Sequence, residues 1–117
     1  MTSDRPVLLF IDDAALLSSI EFALSVAGYK VAVGSDFSDP AAAAALVVDQ
    51  DCAHGLELLA DLRLKCACPA ILLATNPTRI IRASTAELNA ILIEKPLLED
   101  ELMRILNLLL QSQEAEL

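Results

Sequence analysis

Short apolar runs alternate along the chain with stretches of helical periodicity. Four runs end in polar or turn-forming residues, at positions 7–11, 46–48, 70–73 and 90–93. Runs of this kind predict buried strands, and helices between them predict parallel pairing. A fifth segment, 29–33, alternates apolar and polar positions and is typical of an edge strand.

The segments between the strands predict five helices. They are residues 14–27, a short alanine-rich helix opened by Asp39-Pro40, 55–65, a helix opened by Asn76-Pro77 that ends near residue 88, and a last helix after Pro96. In each of the two dipeptides, the first residue is a predicted N-cap and the proline a first helical residue. The inner face of the last helix is predicted to hold Leu102, Ile105, Leu106 and Leu109. The alternation predicts an α/β, doubly wound five-stranded parallel sheet flanked by five helices, with a shortened second helix.

Length and charge narrow the classes of function. The 117 residues are expected to form one domain, 1–117, with an acidic tail at about 111–117. The net charge of −9 argues against nucleic-acid binding. No apolar stretch approaches the roughly 20 residues needed to span a membrane, and the first residues lack the pattern of a secretory signal. A cytoplasmic protein is therefore expected.

Polar residues follow the predicted strands at the point where each strand ends. They are Asp12-Asp13, Asp49, Thr75 and Lys95. Ligands of parallel sheets gather at the carboxyl ends of the strands, so these side chains are expected to converge. Because Mg²⁺ prefers oxygen ligands, the pattern predicts an acidic, magnesium-dependent pocket that contains one lysine.

These motifs, in this order, carry a resemblance to a known family. With the helix opening Gly55-Leu56-Glu57-Leu58-Leu59 and the pair Lys95-Pro96, the chain resembles the CheY-like receiver domain of two-component response regulators over essentially its whole length. The resemblance implies a flavodoxin-like sheet with strand order 2-1-3-4-5. It also implies a signalling module and not an enzyme.

The resemblance assigns a metal site and a phosphoacceptor. Asp13 and Asp49 would bind Mg²⁺ directly, Asp12 would bind directly or through water, and the backbone carbonyl of Asp51 would complete the set. Asp49 would accept a phosphoryl group from a histidine kinase or a histidine phosphotransfer protein. The phosphorylated domain would then signal to a downstream protein partner.

Further residues would bind the phosphoryl group or report its presence. Lys95 would pair with phosphoryl oxygens, and Pro96 is a candidate for a cis turn. The family usually has a residue with a hydroxyl side chain after strand four. Here that position falls either on Ala74, which has no hydroxyl, or one position later on Thr75. Leu92 stands where the family commonly has an aromatic switch residue, so any switch here is expected to act through backbone and helix shifts.

Two alternatives apply to individual residues. Asp12 or Asp13 would also be a suitable cap for the first helix. A zinc site is a second possibility, and its candidate ligands are Cys52, His54, Cys66 and Cys68. A helix between the two halves separates them by about 15 Å, which disfavours zinc and favours reduced thiols.

A second functional class remains beside the phosphoacceptor receiver. The loop from Asp49 to Gly55 is about two residues shorter than usual in the family. A degenerate receiver, used as an unphosphorylated protein-binding or dimerisation module, is therefore the alternative. Apolar residues outside the inner stripe favour a homodimer through the fourth and fifth predicted helices: Leu98, Met103, Leu108 and Leu110.

Overall fold

The computed structural model describes residues 5–34, 42–51, 54–95, 97 and 101–115. Its elements, in chain order, are β1 (Val7–Phe10), α1 (Ala14–Val26), β2 (Val31–Val33), β3 (Ala45–Asp49), α2 (Gly55–Arg63), β4 (Ala70–Ala74), α3 (Arg79–Glu87), β5 (Ile91–Glu94) and α4 (Glu101–Ala115).

The strands form one parallel sheet in the order β2-β1-β3-β4-β5. This confirms the predicted α/β class and strand order. Asp49, the last residue of β3, is paired with Leu73 of β4, and Ala74 is paired with Glu94 of β5. The residues that follow β1, β3, β4 and β5 therefore all leave the sheet at one edge.

Each face of the sheet is covered by two helices, because the strand side chains alternate between two cores. Ile71 and Leu73 point into the core beneath α1 and α4, where Leu24 and Leu106 are fully buried. Leu72 points into the opposite core, which α2 and α3 cover. Strands buried on both faces explain why the sequence shows continuous apolar runs.

The predicted second helix does not have the expected form. Its Asp39-Pro40 start lies outside the described residues, and the described alanines 42–44 form no α-helix. The expectation was wrong for Ala45, which begins β3 and pairs with Val7. The N–H of Ala44 already donates to the carbonyl of Pro6 at 2.8 Å, so the backbone here bonds to the strand segment beside it. Four helices are thus present in the described residues.

The start of α3 also differs from the prediction. Its N-cap is Thr78 and not Asn76, because the Thr78 hydroxyl accepts the Ile81 N–H at 3.1 Å. Asn76 instead has a positive φ of 47°. The chain therefore turns at Asn76-Pro77 before the helix begins.

The last helix is longer than expected and buries its predicted inner face. It continues to Ala115, through most of the segment predicted as an acidic tail. Leu102 and Leu106 are buried, and Met103 and Leu110 also pack against the core. Leu108 is 62% exposed, whereas Leu98 lies outside the described residues. Among the described helices, none is both long enough and apolar enough to cross a membrane.

Candidate functional site

A buried aspartate and a lysine from different strands meet at the carboxyl edge of the sheet. Asp49 ends the central strand β3, and only 1% of its surface is exposed. Lys95 directly follows β5, and its Nζ lies 2.9 Å from the Asp49 Oδ1. The Lys95 N–H donates to the carbonyl of Ala74 at 2.8 Å, which extends the β4–β5 ladder and fixes where the lysine starts. Sheet pairing therefore brings the two side chains together.

A second carboxylate completes what we call the lysine-centred network, made up of Asp49, Asp51, Thr75 and Lys95. The Lys95 ammonium also donates to the Asp51 Oδ2 at 2.8 Å. The Thr75 hydroxyl donates to the same oxygen at 3.3 Å, and the Asp51 N–H donates to the Asp49 Oδ1 at 3.1 Å. Each member thus contacts at least one other.

The network places a threonine hydroxyl where Ala74 offers none. Ala74 is the last residue of β4 and is fully buried, whereas Thr75 is exposed at the sheet edge. The contact with Asp51 brings the Thr75 hydroxyl to the residues that surround Lys95. Of the two positions, Thr75 is the one whose side chain reaches the network.

The charges in the network stabilise one another. The hydrogen bond from Lys95 holds the pKa of the Asp51 carboxyl below its ordinary value of 3.8, although partial burial acts in the opposite direction. Partial burial acts to lower the pKa of Lys95, but its bonds to Asp51 and Asp49 outweigh this and raise the pKa above 10.5. Both Asp51 and Lys95 are consequently charged at neutral pH.

Asp13 acts as a helix cap in this structure. Its Oδ1 accepts the N–H groups of Ala15 and Leu16 at 2.9 and 3.1 Å, at the start of α1. These bonds satisfy two of the amides that a helix start leaves without partners. Asp12, the preceding residue, is exposed at the same strand end. The capping interpretation therefore describes Asp13 correctly.

The carboxylate oxygens at this edge are ligands of the type that Mg²⁺ prefers, although they are not arranged around one common point. Asp12, Asp13 and Asp49 follow or end the neighbouring strands β1 and β3, and carboxylate oxygens are the ligands that Mg²⁺ prefers. In the part of the chain that is described, no group of three or more His, Cys, Asp or Glu side chains is arranged to hold a metal ion. Asp13 caps α1 and Asp49 binds Lys95 instead.

A close backbone approach holds α2 against the end of β3. A Cβ built on Gly55 would lie 2.4 Å from the carbonyl oxygen of Asp49 and 2.8 Å from the Cα of Gln50. Only glycine fits this approach without a shift of the backbone. His54, immediately before α2, has a positive φ of 57°. The backbone therefore turns at His54, directly before α2 begins.

The remaining predicted residues are placed as follows. Leu92 is half-buried and packs against the core beneath α2 and α3, while Pro96 lies outside the described residues. Cys66 and Cys68 are buried where the chain enters β4, at the opposite edge of the sheet from Asp49, and Cys52 is not described. The three candidate zinc ligands that are described, His54, Cys66 and Cys68, are thus divided between the two ends of α2.

Sequence reasoning missed the side chain of Asp51. It assigned that residue only a backbone carbonyl, whereas the carboxylate is a direct partner of Lys95 and Thr75. The signal was the repeated acid in Asp49-Gln50-Asp51. Two carboxylates this close disfavour each other's charged form, so both stay ionised only with a cation nearby.

Comparisons with known proteins identify the fold. No protein-family model matches the sequence, and no curated protein matches it. A CheY-like receiver domain protein from Methanospirillum hungatei JF-1 has a TM-score of 0.84 at 22% identity, covering 97% of this chain and 99% of that one. Chemotaxis protein CheY4 from Vibrio cholerae has a TM-score of 0.76 at 16% identity, covering 92% and 99%.

A third similar structure contains a phosphorylated aspartic acid. It is a response regulator from Burkholderia pseudomallei with a phosphorylated aspartic acid, a calcium ion and citrate, with a TM-score of 0.75 at 17% identity, covering 97% of this chain and 72% of that one. Identities at this level establish the fold. The chain therefore has the fold of the CheY-like response regulator receiver domains, as its motifs predicted.

Proposed function

We propose that this chain is a receiver in a cytoplasmic two-component phosphorelay and accepts a phosphoryl group on Asp49. The observation that carries the proposal is the buried Asp49 carboxylate, held by the Lys95 ammonium at 2.9 Å at the carboxyl edge of a parallel sheet. Ligand sites of such sheets lie at this edge. The donor would be the phosphohistidine of a histidine kinase or of a histidine phosphotransfer protein.

The proposed reaction is a single phosphoryl transfer. An oxygen of Asp49 attacks the phosphorus, the P–N bond to the histidine breaks, and the imidazole nitrogen leaves with the electron pair and later takes up a proton. Such transfers depend mainly on positioning and on charge neutralisation. Lys95 would supply one positive charge beside the phosphoryl oxygens, and Thr75 would donate its hydroxyl to them.

Magnesium is part of this proposal. Asp12, Asp13 and Asp49 are the side chains that would hold it, with the backbone carbonyl of Asp51. When bound, Mg²⁺ supplies charge that neutralises the phosphoryl oxygens. Asp13 would serve this site while the Oδ1 of the same side chain caps α1. Lys95 would exchange its bond to Asp51 for bonds to the new phosphoryl group.

The signal would leave through the segments that follow β4 and β5. Thr75 and Lys95 begin these segments, and α3 is tied to β5 by an ion pair between Arg82 and Glu94. A phosphoryl group that draws Thr75 and Lys95 toward Asp49 would shift this surface for a downstream partner. Leu92 is no aromatic switch, so backbone and helix movement would carry the change.

A specific observation also favours the second candidate function. In the lysine-centred network, Lys95 already forms ion pairs with two carboxylates, and the side chain of Asp13 is used by the α1 cap. In this arrangement the side chains of Asp13, Asp49 and Asp51 have partners within the protein itself. As a degenerate receiver, the chain would bind a protein partner or a second copy through α3 and α4 in the unphosphorylated state.

The test is an NMR titration of the labelled protein with Mg²⁺ and then beryllofluoride, a phosphoryl mimic. The proposal expects Mg²⁺ to shift the amides around Asp12, Asp13 and Asp49, and beryllofluoride to add shifts near Thr75, Lys95 and α3. The control is Asp49→Ala, in which beryllofluoride must lose its effect. If neither addition moves these amides at millimolar concentration, the phosphoacceptor function is wrong and the degenerate receiver is supported.

A further inference from the structure

Two cysteine thiols are in contact at the amino end of β4, at the opposite edge of the sheet from Asp49. The Sγ atoms of Cys66 and Cys68 are 2.7 Å apart. A turn between the end of α2 and the start of β4 brings them together, and the Cys68 N–H donates to the Cys66 Sγ at 3.3 Å. Both residues are buried, with 7% and 8% of their surfaces exposed.

The contact suits a disulfide better than a metal. A disulfide bond is about 2.05 Å long, so the two sulfur atoms have only about 0.6 Å left to close. A tetrahedral zinc with bonds of about 2.3 Å would hold two sulfur atoms about 3.8 Å apart, well beyond the observed separation. No cluster of three or more possible metal ligands is found in the described part of the chain.

The two thiols have different environments. Burial raises the pKa of the Cys68 thiol to about 12, and its hydrogen bond with Cys66 acts in the same direction. The Cys66 sulfur accepts the Cys68 backbone N–H. Because its raised pKa keeps Cys68 a thiol, we assign Cys66 as the sulfur that attacks and Cys68 as the thiol that resolves the product.

A single arginine connects the cysteines to β5. The Arg63 guanidinium donates to the carbonyls of Cys66 and Cys68 at 3.3 and 2.5 Å. It also donates to the carbonyls of Leu88 and Asn89, at 2.6 and 3.0 Å, in the turn that leads from α3 into β5. A change in the cysteine backbone therefore has a direct route to that turn.

We propose that Cys66 and Cys68 form a reversible intramolecular disulfide when the protein meets hydrogen peroxide, and that Arg63 passes the change to the α3–β5 turn. Peroxide is the oxidant because it is small enough to reach sulfur atoms of such low exposure. The site is independent of the phosphoacceptor, since it lies at the other edge of the sheet. The cysteine pair makes this protein a sensor of hydrogen peroxide, a two-electron oxidant.

The reaction has two balanced steps. The Cys66 thiolate attacks one peroxide oxygen, the O–O bond breaks, and hydroxide leaves with the electron pair and gains a proton to become water. The Cys68 sulfur then attacks the sulfenic sulfur of Cys66, the S–O bond breaks, and the hydroxyl leaves with the Cys68 proton as a second water. Two thiols are oxidised and one peroxide is reduced to two waters.

The test is peptide mapping of the reduced protein after exposure to hydrogen peroxide and alkylation. Trypsin releases Cys66 and Cys68 together in peptide 66–79 and Cys52 separately in peptide 31–63. We expect peptide 66–79 to lose two hydrogens, about 2 Da, and to resist alkylation until a reductant is added. If both of its thiols remain alkylated at peroxide doses that oxidise Cys52, the proposal is overturned.

Variants separate the disulfide from other oxidation. In Cys68→Ser the loss of about 2 Da must disappear, and a 1,3-dione reagent must trap sulfenic acid on Cys66. Cys52→Ser must form the disulfide as the unmodified protein does; a requirement for Cys52 would contradict the pairing. In the oxidised protein we expect the amide resonances of Leu88 and Asn89 to shift and to return on reduction. Unchanged resonances would overturn the role given to Arg63.

Discussion

The Lys95 Nζ lies 2.9 Å from the Asp49 Oδ1, although the two residues are 46 positions apart in the chain. The side chain of Asp49 is 2% exposed and that of Lys95 is 17% exposed. A carboxylate buried to this degree needs a charged partner, because its transfer out of water is costly. The ion pair therefore contributes to folding as well as to the proposed chemistry.

Replacing Lys95 by Met is expected to destabilise the protein. The variant leaves the Asp49 carboxylate buried without its cation. It also removes the positive charge that contacts the carboxylates of both Asp49 and Asp51. Removing one partner of a fully buried pair costs about 3 to 5 kcal/mol, and we expect about 1 to 3 kcal/mol here because water reaches the lysine. Urea unfolding at pH 7 measures the change.

Lys65→Met is the matched control for this substitution. Lys65 is exposed just after α2, so its loss is expected to change the free energy of unfolding by less than about 0.5 kcal/mol. Adding Asp49→Asn to Lys95→Met is expected to recover part of the loss, since the buried charge is then removed. Equal effects of the two lysine substitutions would contradict the role of the ion pair.

The pKa shifts in the network predict how stability depends on pH. The pKa of Asp51 is lowered, so its contribution is present above its ordinary value of 3.8 and is lost as the pH falls through the lower pKa of the folded state. The pKa of Lys95 is raised, so its contribution is present below 10.5 and is lost as the pH rises above that value. Unfolding free energies measured against pH are expected to decline in both windows.

Asp51→Asn separates this effect from the titration of other acids. The variant is expected to show a shallower decline below pH 3.8, by at most about 1 kcal/mol because Asp51 is more than half exposed. Asp61→Asn, at an exposed position of α2, serves as the control and is expected to leave the slope unchanged. A slope that responds equally to both substitutions would rule out a specific contribution from Asp51.

The strands and the main partners in the site were predictable, because a sheet buried on both faces leaves continuous apolar runs whose polar ends converge. The structure of the alanine segment was not predictable, because the helix propensity of alanine does not indicate that Ala45 pairs with Val7 in the sheet. Nor was the Asp51 side chain, whose direction depends on the conformation of a loop. Long-range pairing and loop geometry decide both features, and neither leaves a periodic signal.

Gly55→Ala is expected to disturb the end of β3, where Asp49, the proposed phosphoacceptor, lies. The added Cβ would lie 2.4 Å from the carbonyl oxygen of Asp49, so either α2 or the end of β3 must move. We expect a loss of about 1 to 3 kcal/mol and a shift of the Asp49 amide resonance. Gly28→Asn is the control, because Gly28 has open space around it and asparagine tolerates its positive φ of 97°. Comparable shifts at Asp49 in both variants would contradict the steric argument.

Arg63→Lys is expected to weaken the contact between α2 and the turn before β5. Lysine cannot reproduce the fork of donors that reaches the carbonyls of Cys68, Leu88 and Asn89. We expect a loss of about 1.5 to 3 kcal/mol, since bonds from a charged donor are involved. The control Arg79→Lys, at an exposed position of α3, is expected to cost less than about 0.5 kcal/mol. Thermal unfolding of the two variants, followed by circular dichroism, makes the comparison.

Asp13 allows the structural role of a residue to be separated from its proposed metal role. Its Oδ1 caps α1 through two N–H groups, and asparagine caps a helix as well as aspartate does. Asp13→Asn is therefore expected to keep the free energy of unfolding within about 0.5 kcal/mol, whereas Asp13→Ala loses about 1 kcal/mol. Both are expected to weaken Mg²⁺ binding in the NMR titration, because each removes a carboxylate ligand. If Asp13→Asn binds Mg²⁺ as tightly as the unmodified protein, Asp13 is a cap alone and the proposed ligand set is wrong.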